Sequence, residues 1–221
     1  MNIDIDINDM FSEKNKDLFL NKLILDLGNN TETFKLATKH IVMIEVAKLL
    51  SSLKRIYDKY SISYVENDIK GLLSETKTTL LEDVNVLIDE KNSNNASYVD
   101  SNRSKQVNKK YLKDYHRHID ESDSTFQDGL KLAVSEASEI SLYNSLIGLY
   151  PCSNEEMQQD ILQIVNVDFS NTIIARVSAE SKLRSRTLKN ISEEDYQKYL
   201  EFSKNSDITK TVSKVKTKAD N

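Results

Sequence analysis

Residues 31–60 read TETFKLATKHIVMIEVAKLLSSLKRIYDKY, and the spacing within this stretch decides the fold. Phe34, Ala37, Ile41, Ile44, Val46, Leu49, Leu50, Leu53, Ile56, Tyr57 and Tyr60 recur at intervals of three and four. That period places them along one side of an α-helix, whereas a strand would alternate them between two faces. No Gly or Pro interrupts the run. At a rise of ~1.5 Å per residue the helix is about 45 Å long. A helix of this length with one apolar side needs other helices to cover it.

The flanking sequence supplies them. Ser12 can cap a helix that ends before Gly28-Asn29-Asn30. Val65, Ile69, Leu72, Leu73, Leu80, Val84, Leu87 and Ile88 predict a third helix over 65–90, with Gly71 inside it at a small cost. Residues 92–104, NSNNASYVDSNRS, are turn formers with almost no apolar anchor and read as a linker. Beyond it the spacing predicts helices over 104–119 and from Ser122 or Asp123 to Tyr150, where Pro151 ends the helix. A capping box at Ser153-Asn-Glu-Glu156 opens a helix to about Asn166. Asp168 or Ser170 opens another, and Ser192-Glu-Glu-Asp195 a last short one. The expected fold is all-α: a bundle of seven or eight helices, divided as 12–91 and 105–206 around the linker. An arm at 1–11 precedes it and a tail at 207–221 follows.

Composition agrees. In 221 residues there are four Gly and one Pro, too few turn formers for a sandwich, a barrel or a dinucleotide-binding α/β fold. The single Cys152 excludes an internal disulfide framework. The N-terminus carries Asp4, Asp6 and Asp9 and has no apolar core of a secretory signal, so the four N-x-S/T sequons mean little. The longest apolar run, Ile41 to Ile44, is far short of the ~20 residues that span a bilayer. The expected setting is therefore soluble, reducing and away from membranes.

Charge is placed unevenly. The net charge is −5. Residues 103–118 hold six Lys or Arg against one Asp, residues 120–168 ten acids against one Lys, and residues 176–189 five Lys or Arg against one Glu. In the first basic block Val107, Tyr111, Tyr115 and Ile119 form an apolar stripe at a spacing of four. Arg103, Lys105, Lys109, Lys110, Lys113 and Arg117 take most other directions. Such a helix can grip phosphates by counterion release. It can equally pack its stripe on the core and pair its cations with acidic protein. The tail adds Lys210, Lys214, Lys216 and Lys218. In the arm, Ile3, Ile5 and Ile7 alternate with Asp and Asn, the period of a half-buried strand; with no partner strand following, the segment is either a disordered tail or an arm that lies on another surface.

Signatures of chemistry are missing. Asp4-x-Asp6-x-Asn8 resembles the start of a calcium loop, but Asp9 and Asn15 stand where Gly and Glu are required. His116 and His118 are two apart, a spacing that turns metal ligands away from each other on a helix. Cys152 has no His base near it in sequence. No phosphate-binding glycine loop, nucleophile elbow or zinc-binding H-E-x-x-H occurs. The chain therefore reads as non-enzymatic and without a cofactor.

The layout resembles the helical adaptor, or connector-ring, proteins that join head to tail in tailed bacteriophages. The resemblance rests on the bundle over about 12–206, the MNIDIDIND arm and the KTVSKVKTK tail, with no diagnostic motif. It implies a virion or host-cytoplasmic structural subunit that forms a homo-oligomer and docks on other structural proteins through its arms. The acidic arm and the 92–104 segment depart from that pattern, so no functional residue carries over. Nucleic-acid binding through the basic helix and tail is the alternative.

Overall fold

A computed structural model describes residues 31–102, 109–148 and 154–190, and every element in them is helical. Helix α1 is Thr31–Lys59, α2 is Glu66–Asn102 and α3 is Lys109–Tyr143. A π-helical turn, Asn144–Gly148, continues α3. Helix α4 (Glu155–Leu162) runs through a π-helical segment (Gln163–Phe169) into α5 (Ser170–Lys189), so these three form one continuous rod.

The described residues thus hold four helical rods where the spacing separates six. Each rod packs on two neighbours in the order α1, α2, α3, α5 and back to α1. Contacts between side chains fix the directions. Lys35 reaches Asp89 across α1 and α2, Thr76 meets Ser141 across α2 and α3, and Ser138 meets Ser170 across α3 and α5. Lys59 at the end of α1 holds Asp160 of α4. Every adjacent pair is antiparallel, the up-down-up-down arrangement that short connections favour.

One apolar core runs down the axis. Leu53 and Val42 of α1, Leu80, Val84 and Ile88 of α2, Leu130 and Val134 of α3, and Ile161, Ile173 and Val177 of the last rod are fully buried in it. The turn after α1 is built from the backbone. Ile62 N–H donates to Tyr57 C=O at 2.8 Å and Ser61 N–H to Asp58 C=O at 3.1 Å. Ser61 sits at φ 53°, so this is a Schellman C-cap with serine where glycine is usual.

Four sequence expectations are corrected. Residues 92–102 are helix and not linker. Their composition favours turns, but Lys91 and Asn95 are buried and the Tyr98 ring stacks on His118, so one face has something to pack on. Tertiary packing then overrides weak local propensity. Residues 119–123 do not break the chain into two helices. Asp123, which reads as an N-cap, turns inward to Lys91 and α3 continues. Ser170 does not open a new helix either. Its hydroxyl donates to the Val165 carbonyl five residues back, at 2.8 Å, within the π-helical segment. The cap of α4 is Asn154 rather than Ser153, its Oδ1 accepting from Met157 N–H at 3.0 Å. The arm at 1–11, the tail at 207–221 and the first and last expected helices lie outside the described residues.

Candidate functional site

The antiparallel packing of α3 and α5 brings the two basic segments of the sequence to one end of the bundle. Lys189 Nζ, in the last turn of α5, lies 2.6 Å from Asp120 Oδ1 in the first third of α3. Lys110 and Lys113 of α3 and Lys182 and Arg186 of α5 are exposed at this end. None of these four is in an ion pair with a described residue. Arg117, also exposed, donates to Asp114 Oδ1 at 2.9 Å and lies 3.9 Å from Glu121 Oε1. The acidic block runs the other way, through Asp128, Glu136 and Glu139 of α3 to Glu155 and Glu156 of α4. Three cations at that far end are engaged, Lys59 by Glu156 and Asp160, and Lys54 and Lys70 by Glu66, while Arg55 is exposed there. Lys54 and Lys70 hold the Glu66 carboxyl well below its usual range, at about 2.

At the basic end an open groove of about 510 Å³ lies between α2 and α3. The Tyr98 and His118 rings stack in its wall, with centroids 4.3 Å apart and planes 15° from parallel. Ser97, Ser101, Ser122 and Thr125 add hydroxyls, Glu90 and Glu121 carboxylates, and Leu87 and Phe126 an apolar floor. His118 Nε2 and Ser122 Oγ are shielded from solvent and have no hydrogen-bond partner among the described residues. Ser122 lies one turn from His118, yet the two are not bonded to each other, so they do not form the hydroxyl–imidazole pair of a nucleophile and its base.

A charge pair underlies the groove. Lys91, 5% exposed, donates to Asp123 Oδ1 at 2.7 Å, Ser181 Oγ at 2.6 Å and Ser185 Oγ at 3.1 Å. All three ammonium protons are thus used. Ser181 also donates to Asp123 Oδ1, and Gln127 Nε2 to Oδ2 at 3.0 Å. The ammonium lies 5.3 Å from the Phe126 ring centre. Burial pushes the Lys91 amine below its ordinary value, more than the bond to Asp123 raises it. Burial pushes the Asp123 carboxyl up, but the bonds from Lys91, Ser181 and Gln127 together outweigh it and hold it below its ordinary value. A second cavity of about 200 Å³ lies beside the π-helical segment, between α1 and the last rod. It is lined by Asp168, Phe169, Thr172 and the buried Glu45, which Lys48 and Arg176 neutralise.

The sequence-level site residues fall into three groups. Tyr115 and Ile119 are buried inside the chain, so this half of the apolar stripe serves the bundle itself. Lys110, Lys113 and Arg117 are exposed, while Lys109 and Tyr111 sit on the first described turns of α3 without a described side chain. Ile3, Ile5, Ile7, Arg103, Lys105, Val107, Lys210, Lys214, Lys216 and Lys218 lie outside the described residues, as do Cys152 and the Asp4–Asn8 run. Lys91, Tyr98 and Asp123 carry no signal as single residues. Their register does: 84, 88, 91, 95 and 98 continue the three-and-four spacing through polar residues. Among the described residues no three His, Cys, Asp or Glu gather as metal ligands, and no helix is long and apolar enough to cross a membrane.

No protein-family model, curated protein or solved structure matches this chain.

Proposed function

We propose that this chain is a non-catalytic assembly subunit that docks on copies of itself and on other structural proteins. The observation that carries the reading is the charge separation along α3 and the last rod. Exposed Lys110, Lys113, Lys182 and Arg186, in no ion pair with a described residue, mark one end, and Glu136, Glu139 and Glu155 mark the other. Exposed cations at one end of α3 and the last rod, and exposed carboxylates at their other end, give neighbours complementary surfaces. The finer reading is a virion component of the connector-ring kind. It draws on the architectural resemblance, with the Ile3-Ile5-Ile7 arm and the lysine tail reaching neighbouring subunits.

Nucleic-acid binding is the second reading, and the same four cations favour it. Acids intervene at the basic end, however. Asp114 and Glu121 take Arg117, and Asp120 takes Lys189. A surface that tracks phosphates gains by keeping such cations free, so docking on acidic protein fits better.

Light scattering of the full chain at low and moderate salt, with and without duplex DNA, separates the readings. A defined oligomer indifferent to DNA is expected. A monomer that shifts only with DNA, and loses the shift as salt rises, would replace the first reading by the second.

A further inference from the structure

We infer that the exposed face of α3 pairs antiparallel with the same face of a second copy of this chain. The inference rests on the assembly reading and names its contact. Arg117, Glu121, Asp128, Leu132, Glu139 and Tyr143 follow one another at four or seven residues along α3, one or two helical turns, and all are exposed. Lys110 continues this face at one end, and Lys113 and Glu136 flank it. The face spans roughly 50 Å at ~1.5 Å per residue.

Two properties mark it as an interface. The first is apolar exposure. Leu132 is 73% exposed and Tyr143 62%, on a face whose other members are charged or polar. The second is the order of charge. Lys110, Lys113 and Arg117 occupy the first third, and Glu136 and Glu139 the last. Against a parallel copy, like charges would meet. Against an antiparallel copy, the basic third of each helix lies opposite the acidic third of the other, twice over by the two-fold axis. The other charges of this stretch are balanced within the chain: Asp128 accepts from Lys131 at 2.9 Å, and Arg117 donates to Asp114 at 2.9 Å and lies 3.9 Å from Glu121, which leaves Lys110 and Lys113 as the cations of the basic third. Leu132 and Tyr143 then gain cover from the opposite copy. Such a contact is isologous. In a ring it joins copies across a two-fold axis, between rings and not around one.

The test is a charge exchange on the full chain, read by native mass across a concentration series. The basic variant carries Lys110→Glu and Lys113→Glu, the acidic variant Glu136→Lys and Glu139→Lys, and a third carries all four. These sites are exposed, and circular dichroism confirms that each variant is folded. The dimer dissociation constant is expected to rise at least about tenfold in each two-site variant. It should return toward the original in the four-site variant, and an equimolar mixture of the two two-site variants should form dimers. An oligomer that none of the exchanges weakens overturns the α3 contact and leaves the assembly reading standing. Weakening by both without recovery in the four-site variant also overturns the antiparallel pairing. A monomer at every concentration overturns both readings.

Discussion

Lys91 and Asp123 meet at 2.7 Å inside the bundle, between α2 and α3, with Ser181 and Ser185 of α5 closing the ring of hydrogen bonds. A pair so placed ties three helices to one register. It does not follow that it adds stability over an apolar pair, because removing both charges from water costs about what their attraction returns.

That balance can be measured. Lys91→Met leaves Asp123 with two neutral donors, and Asp123→Leu leaves an ammonium with no counter-charge. Each single change is expected to cost about 3–5 kcal/mol, since one buried charge is stranded. The double change is expected to cost far less than the sum, or nothing. Urea unfolding of the three variants gives the coupling directly. Additive costs would mean that the two groups do not act as a pair.

The same pair fixes a pH dependence. The folded Asp123 carboxyl lies below its ordinary 3.8, so the unfolded chain takes up this proton first as the solution is acidified. Its contribution is present above that ordinary value and is lost as pH falls through it toward the folded one. Glu66, held at about 2 by Lys54 and Lys70, titrates in the same sense. Melting temperatures between about pH 6 and about pH 2 are expected to fall more steeply for the original chain than for Lys91→Met with Asp123→Asn. Parallel curves would assign the acid sensitivity to other carboxylates.

The turn after α1 makes a third case. Ser61 holds φ 53°, a region where a side chain costs roughly 1–2 kcal/mol and glycine adapts freely. Ser61→Gly is expected to raise stability by up to about 1 kcal/mol, the remainder offset by the greater freedom of glycine in the unfolded chain. A loss of stability on this change would mean that the serine side chain supports the turn.

How far the sequence reveals this molecule depends on where a residue's partner lies. The α1 register was legible because Phe34, Leu49, Leu53, Ile56 and Tyr57 are apolar and buried together. The span of α2 beyond Glu90 was not, because the residues that anchor it are Lys91, Asn95 and Tyr98. A buried lysine is recognisable only from its aspartate, 32 residues away. The α3 break was misplaced for the same reason: Asp-Glu-Ser-Asp at 120–123 has the composition of a cap, and only the Lys91 contact shows that it does not act as one. The basic blocks at 103–118 and 176–189 were visible as charge runs. That residues 109–118 and 182–189 of these blocks share one end of the bundle follows only from the antiparallel path of α3 and α5.

Gly71 and Gly129 both interrupt helices, with different surroundings. A Cβ on Gly71 would meet nothing within 4 Å, whereas one on Gly129 would lie 2.6 Å from Leu87 Cδ2. Gly71→Ala is therefore expected to stabilise by about 0.5–1 kcal/mol, the helix-propensity difference alone. Gly129→Ala gains the same propensity but must displace the Leu87 side chain, which helps wall the groove, so a smaller gain is expected. Equal gains in thermal or urea unfolding would show that Leu87 moves without cost.

Thr38 lies wholly buried on α1, with Phe34 and Val42 one turn to either side, and its hydroxyl has no hydrogen-bond partner among the described residues. An unpaired buried hydroxyl costs roughly 1–3 kcal/mol relative to an apolar group of the same shape. Valine has that shape, the same branching at Cβ and nearly the same helix propensity. Thr38→Val is expected to raise unfolding free energy by about 1 kcal/mol, read from the urea midpoint at unchanged slope. Thr38→Ser keeps the hydroxyl, loses a methyl and should destabilise. If valine instead lowers the midpoint while serine leaves it unchanged, the hydroxyl has a partner and this layer of the core is polar by design.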